Sequence, residues 1–222
     1  REYLEAGQSP QSGREIRVEK TPEIITRMHE RYDVNRHPRS LFSPSALNTY
    51  LDCRLKFYYR YVAGLKAPDE VSAEIDSALF GTIFHRAAEL VYKDLTANGK
   101  EIRKEDLDQV LRNDIKLQNY VDIAFKEEFF HVALTEKPEY NGTQLINAKV
   151  ITSYLRQLLR NDLQYAPFFM EGMEKKVTEI IEIETSQGKL ALNIGGTIDR
   201  IDSKDDTLRI VDYKTGGSPK TP

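Results

Sequence analysis

A single cysteine, Cys53, stands in the 222 residues, which excludes an internal disulfide framework and fits a reducing, cytoplasmic compartment. No run of about 18 apolar residues occurs, so no membrane span and no membrane partner are expected. No signal peptide is visible, and the chain opens at Arg1 rather than Met, so it is expected to be a piece of something longer. An excess of positive charge is also missing: 32 basic against 35 acidic residues leave a net charge of −3. That excludes coating of nucleic acid by bulk charge but leaves room for a local basic groove. Tryptophan is absent, which decides nothing.

What is present is ordinary for a globular protein, 40% hydrophobic and 30% charged, with length for one large domain or one domain plus a helical extension. Residues 1–40 are polar, with a weak helix around Thr21 to Arg31, and read as a linker or arm from a preceding domain. Ser43-Pro44 predicts a helix start, and Leu47, Tyr50, Leu51, Leu55, Tyr58 and Val62 recur at helical spacing up to Gly64. Arg54, Lys56 and Arg60 are interleaved there with Phe57, Tyr59 and Tyr61. Such a mixture can clamp phosphates and stack bases, or it can be an amphipathic helix whose charges face water. A second helix is expected over Val71 to Leu95, with His85 off its core stripe of Ile75, Leu79, Ile83, Ala87, Leu90 and Val91. Two long helices follow, Lys104 to Phe130 and Thr143 to Gln164. The second is expected to bury Ile146, Val150, Tyr154, Leu158 and Leu159.

After Pro167 the period changes to alternation. Strands are expected over Val177 to Glu184, Lys189 to Ile194, Thr197 to Ser203 and Thr207 to Lys214, with turns at Ser186-Gln187-Gly188 and Lys204-Asp205-Asp206. Helices followed by an antiparallel meander make an α+β arrangement. In the last strand Leu208, Ile210, Asp212 and Lys214 share one face. A core face ending in an acid and a base opens onto a site, or else the two are a solvated surface pair. The partner strand brings Asp199 within range. Two carboxylates and an ammonium suit a hard divalent cation, and metal-assisted phosphodiester cleavage is the chemistry that fits.

The string Gly-x-x-Asp-Arg-Ile-Asp, an acidic turn, then Ile-Val-Asp-Tyr-Lys-Thr-Gly resembles the core motif of the PD-(D/E)XK nucleases, in their RecB-like branch. Leu41 to Tyr61 looks like the helix that opens those domains, and Phe80-Gly81-Thr82-Ile83-Phe84-His85 resembles their Gly-x-x-x-His motif. The resemblance covers about Leu41 to Gly217. It implies a restriction-endonuclease-like core, with antiparallel strands in a mixed sheet, behind a helical block, so that 41–222 form the nuclease domain (41–170 mostly helical, 171–222 the catalytic sheet). It implies Mg²⁺ or Mn²⁺ held by His85, Asp199, Asp212 and the Tyr213 carbonyl. Asp199, Asp212 and Lys214 would be catalytic, Glu174 would support a ligand or the lysine from behind, and Arg54, Lys56, Arg60, Tyr59 and Tyr61 would contact DNA. The settings it implies are the nuclease domain of an AddB-type helicase–nuclease, with a helicase partner, or a CRISPR-associated exonuclease. A nuclease-fold module that binds DNA without cutting it is the rival from another class. Two departures matter. The family's Gln-x-x-x-Tyr helix does not appear before Pro222, so the C-terminal part of the core is expected to be missing. The relatives that hold an iron–sulfur cluster use four cysteines, whereas Cys53 alone cannot bind one and is expected to be buried as an apolar side chain.

Overall fold

The computed structural model of the chain describes residues 16–66, 74–185 and 188–216. These fall into two compact units, 16–66 with 178–185 and 188–195, and 74–177 with 196–216. The expected helix start at Val71, the turn residues Ser186 and Gln187, and Gly217 lie outside the described residues.

In the first unit, Thr21 caps α1 (Pro22–Tyr32), and Ser43 caps α2 (Pro44–Asp52) by accepting from the Ala46 N–H at 3.2 Å. The expected continuous helix to Gly64 is broken at Cys53, whose backbone is extended. The Cys53 Sγ accepts from the Lys56 N–H at 3.4 Å and starts α3 (Arg54–Phe57), which runs into a π-turn (Tyr58–Val62). The cysteine is therefore exposed, not buried, because it serves as a cap. The break also turns Leu47 and Leu51 to the surface, against expectation. Tyr32, Phe57, Val62 and Leu192 form a small apolar cluster on which Ile24 and Met28 pack, so residue 40 is not a packing boundary.

The second unit holds the larger core. Helix α4 (Ser77–Leu95) buries Ile83, Phe84, Ala87, Ala88, Val91 and Tyr92. The expected helix 104–130 is three pieces: α5 (Lys104–Leu111), α6 (Asp114–Phe125) and a π-turn (Lys126–Phe130). Asn113 breaks it by capping α6, accepting from the Lys116 N–H at 2.9 Å. Helix α7 (Gly142–Tyr165) opens with a capping box between Asn141 and Gln144. Its buried stripe is Gln144, Ala148, Ile151, Leu155, Leu159 and Asp162, leaving Ile146 and Tyr154 exposed. The buried stripe admits polar Gln144 and Asp162, which a hydrophobic pattern cannot register.

The strands are β1 (Glu101–Ile102), β2 (Phe168–Thr185), β3 (Gly188–Lys204) and β4 (Thr207–Val211), in the order β1-β2-β3-β4. The described strand pairings are antiparallel, and an isolated parallel bridge joins Phe42 to Ile194. The two strands expected around Gly195 are one, and β4 ends before Asp212. Arg200 pairs with Val211 and Asp202 with Arg209, so the buried ions occupy the inner face of β4. Leu208 and Ile210, expected on a core face, are 60% and 63% exposed.

Those ions form one network. Arg200 is fully buried and donates to Asp162 at 2.5 and 3.1 Å and to Asp202 at 2.8 Å. Arg209 reaches Asp202 at 2.9 Å, and the Tyr92 hydroxyl donates to Asp162. Burial pushes the Tyr92 phenol well above its ordinary range, so it stays a donor. Two guanidiniums against two carboxylates keep the buried charge balanced.

Candidate metal centre

Four segments of the second unit converge on one cluster. Asp76 caps α4, accepting from the Leu79 N–H at 2.7 Å, and the helix's apolar face turns His85 to the rim of the core, partly exposed. On β2, Glu174 lies two and three pleats beyond Met170 and Phe168, and its φ of 47° is unusual for a residue with a side chain. Asp199 comes from β3, one step past the last pair of the β3–β4 ladder. Tyr213 and Lys214 follow the end of β4.

One ligand atom from each of His85, Glu174 and Asp199 lies within 4.8 Å of the others. His85 Nδ1 is 3.7 Å from Glu174 Oε1 and 3.7 Å from Asp199 Oδ1. Across the ring, Nε2 is 3.1 Å from the Tyr213 carbonyl, and the Tyr213 N–H donates to Asp199 Oδ2 at 2.6 Å. Gly81, one turn before His85, permits this approach. A Cβ there would sit 3.1 Å from Thr215 Oγ1.

Glu174 Oε1 is buried and accepts no hydrogen bond. Burial, then the charge of Asp199, raises the Glu174 pKa, while His85 opposes them. An unpaired carboxylate oxygen beside a second carboxylate and an imidazole is unfavourable by itself and fits a bound divalent cation. The cleft in front has a volume of about 790 Å³, lined by Gly81, His85, Arg86, Glu174, Tyr213 and Lys214 among others.

The structure thus brings together His85, Asp199 and Glu174. Glu174, expected to stand behind a ligand, faces His85 directly because its strand position points into the cluster. Asp212 is not in the trio: β4 has ended, and its carboxylate accepts from Lys214 Nζ at 2.6 Å on an exposed surface. Arg86 was not foreseen. It lines the cleft and binds Glu127 at 2.6 Å and Glu89 at 2.5 Å. The signal in the sequence was its i, i+3 spacing to Glu89.

Arg54, Lys56 and Arg60 are exposed and belong to the other unit. Arg54 lies over Tyr50 at 5.7 Å and Arg60 over Tyr61 at 5.4 Å. Tyr61 stacks on Phe57 at 5.5 Å, so one of its faces is already covered, and Tyr59 stands edge-on to Tyr58.

This combination, helices over a four-stranded antiparallel sheet with an acid–histidine cluster beside an Asp-x-Lys segment, is that of a restriction-endonuclease-like nuclease fold. Residues 41–222 match the model of the PD-(D/E)XK nuclease superfamily, and the chain belongs to that family. Curated relatives named as AddB-type subunits of ATP-dependent helicase/deoxyribonucleases are similar to it at low identity. The protein of Streptococcus agalactiae serotype Ia is 28% identical over 174 residues, 78% of this chain and 14% of the relative. That of Streptococcus equi subsp. zooepidemicus is 29% identical over 198 residues, 87% of this chain and 15% of the relative. That of Carboxydothermus hydrogenoformans is 24% identical over 219 residues, 88% and 19%. The chain therefore spans less than a fifth of the length of these relatives. No solved structure matches. Among the described residues, no helix is long and apolar enough to cross a membrane.

Proposed function

We propose that the chain is the nuclease domain of a helicase–nuclease, a cytoplasmic, metal-dependent exonuclease acting on DNA in repair and recombination beside a helicase partner. The observation that carries this is the trio His85, Glu174 and Asp199, with its buried, unpaired carboxylate oxygen, opening on a cleft that Lys214 also lines. These residues would hold Mn²⁺ or Mg²⁺, the imidazole favouring the former and the carboxylates suiting both. A divalent cation bound there supplies polarisation of a phosphate oxygen and a more acidic water.

The side chains of the cleft do the rest. Glu89, Glu128 and Glu174 face it, Arg86 is already paired, and Lys214 is the cation nearest to free. A phosphate diester therefore meets net negative charge until the trio is neutralised, which makes productive binding depend on the cation. Lys214 donates to the phosphate oxygen on which charge builds. Asp212 holds the ammonium at the cleft edge, and its exposed side chain is free to rotate toward Asp199 as a further oxygen donor. Arg54, Lys56, Arg60 and Tyr59 offer a separate surface for the DNA backbone and bases.

The test is cleavage of single- and double-stranded DNA by the chain with Mn²⁺, Mg²⁺ or EDTA. Cleavage that needs a divalent cation and is lost in Asp199→Ala supports the reading. DNA binding without cleavage under every condition would leave a non-catalytic DNA-binding module.

A further inference from the structure

The geometry points to Tyr213 as the positioning residue of the cation site, acting through its main chain, and to Nδ1 of His85 as the nitrogen left to take the cation. This rests on the cation-site reading above.

Tyr213 touches two of the three candidate ligands with its peptide groups. Its carbonyl can only accept, so the 3.1 Å contact to His85 Nε2 is a hydrogen bond only when that nitrogen carries the proton. A neutral imidazole has one such proton, which leaves the lone pair on Nδ1. Nδ1 is the nitrogen that both carboxylates approach, each at 3.7 Å. An outer acceptor that fixes ring orientation and tautomer is what metal-bound histidines ordinarily have. The Tyr213 N–H meanwhile holds Asp199 Oδ2 at 2.6 Å and leaves Oδ1 toward Nδ1. The carbonyl that the family resemblance assigns to the cation is, in this geometry, engaged by the imidazole.

The strand does not hold Tyr213 in place, since β4 ends at Val211. Its ring does. The residue is 7% exposed, edge-on to Phe84 at 5.7 Å and to His85 at 5.6 Å. The hydroxyl is buried without a hydrogen-bond partner, so ring packing is the anchor.

An Asn side chain places its polar end where Nδ1 stands, and Gln where Nε2 stands. Mn²⁺ binding to the chain, measured by calorimetry and electron paramagnetic resonance, separates the two. His85→Asn is expected to bind Mn²⁺ more tightly than His85→Gln, on the order of tenfold, and Tyr213→Leu to lose roughly 10–100-fold, as loss of an outer partner does. Tyr213→Phe should recover the affinity. Circular dichroism checks that each variant is folded. His85→Gln binding as tightly as His85→Asn or more so, or a folded Tyr213→Leu with parental affinity, overturns the proposal while the cation site stands. A parent chain that binds no Mn²⁺ overturns the cation-site reading and the proposal with it.

Discussion

Replacing Arg200 by Met tests whether the buried ion network beneath the site is a structural necessity. Met matches much of the aliphatic stem, so the perturbation is mainly the loss of the guanidinium. Arg200 lies 4.5 Å over Tyr92 and 5.0 Å over Phe168, and its side chain is fully shielded from water. Removing it leaves Asp162 and Asp202, both buried, sharing only Arg209, which reaches Asp202 at 2.9 Å but Asp162 at 3.4 Å. One uncompensated buried charge costs about 3–5 kcal/mol. Set against the ~5–15 kcal/mol that a domain has in hand, that is a large share. Urea unfolding should therefore show a midpoint lowered by that cost divided by the parental slope, with the slope itself unchanged. The double variant Arg200→Met, Asp202→Asn should recover part of the loss, since it removes one of the two stranded charges. Arg200→Lys should fall between, keeping the charge but not the paired hydrogen bonds. A loss under about 1 kcal/mol for Arg200→Met would refute the reasoning and mean that the network contributes no more than an exposed ion pair does.

Other outcomes follow from the same geometry. Lys214→Ala and Asp212→Ala should abolish DNA cleavage with the thermal midpoint nearly unchanged, since both side chains are exposed; parental cutting rates in both would end the hydrolase assignment. Glu174→Gln should stabilise the metal-free chain at neutral pH. A raised carboxyl pKa contributes stability below the unfolded value that is lost as pH rises through the folded one, so the gain should vanish on acidification; thermal melts in EDTA at pH 4 to 8 that track the parent throughout would contradict this. Neutralising Arg54, Lys56 and Arg60 together should lower the slope of log K against log salt by about two if all three meet phosphates. Tyr59→Ala should cost more single-strand affinity than Tyr61→Ala, because Tyr61 is already stacked on Phe57; equal losses in filter binding would count against it.

The hydrophobic pattern and the motifs were legible without a structure because they are local. Helix starts at Ser43 and near Thr143, the turn at Asp205-Asp206 and the change of period after Pro167 follow from capping and alternation, which act over a few residues. The spacing Gly81 to His85 was legible too, although its reason, the close approach of Thr215, needed the fold. What the sequence could not show was where a polar residue would go. Cys53 as a cap, Asn113 as a helix break, and Gln144 and Asp162 on a buried stripe each depend on a partner rather than on hydrophobicity. The inner face of β4 was decided in the same way. Burying Arg200 and Asp202 opposite Arg209 satisfies charges from α7 and β3, and it sends Leu208 and Ile210 outward against their own preference. By itself the sequence determined which residue types could form a cation site and in what order. Only the tertiary structure decided that Glu174 joins His85 and Asp199 while Asp212 pairs with Lys214, because ligand geometry is set by contacts between segments far apart in the chain.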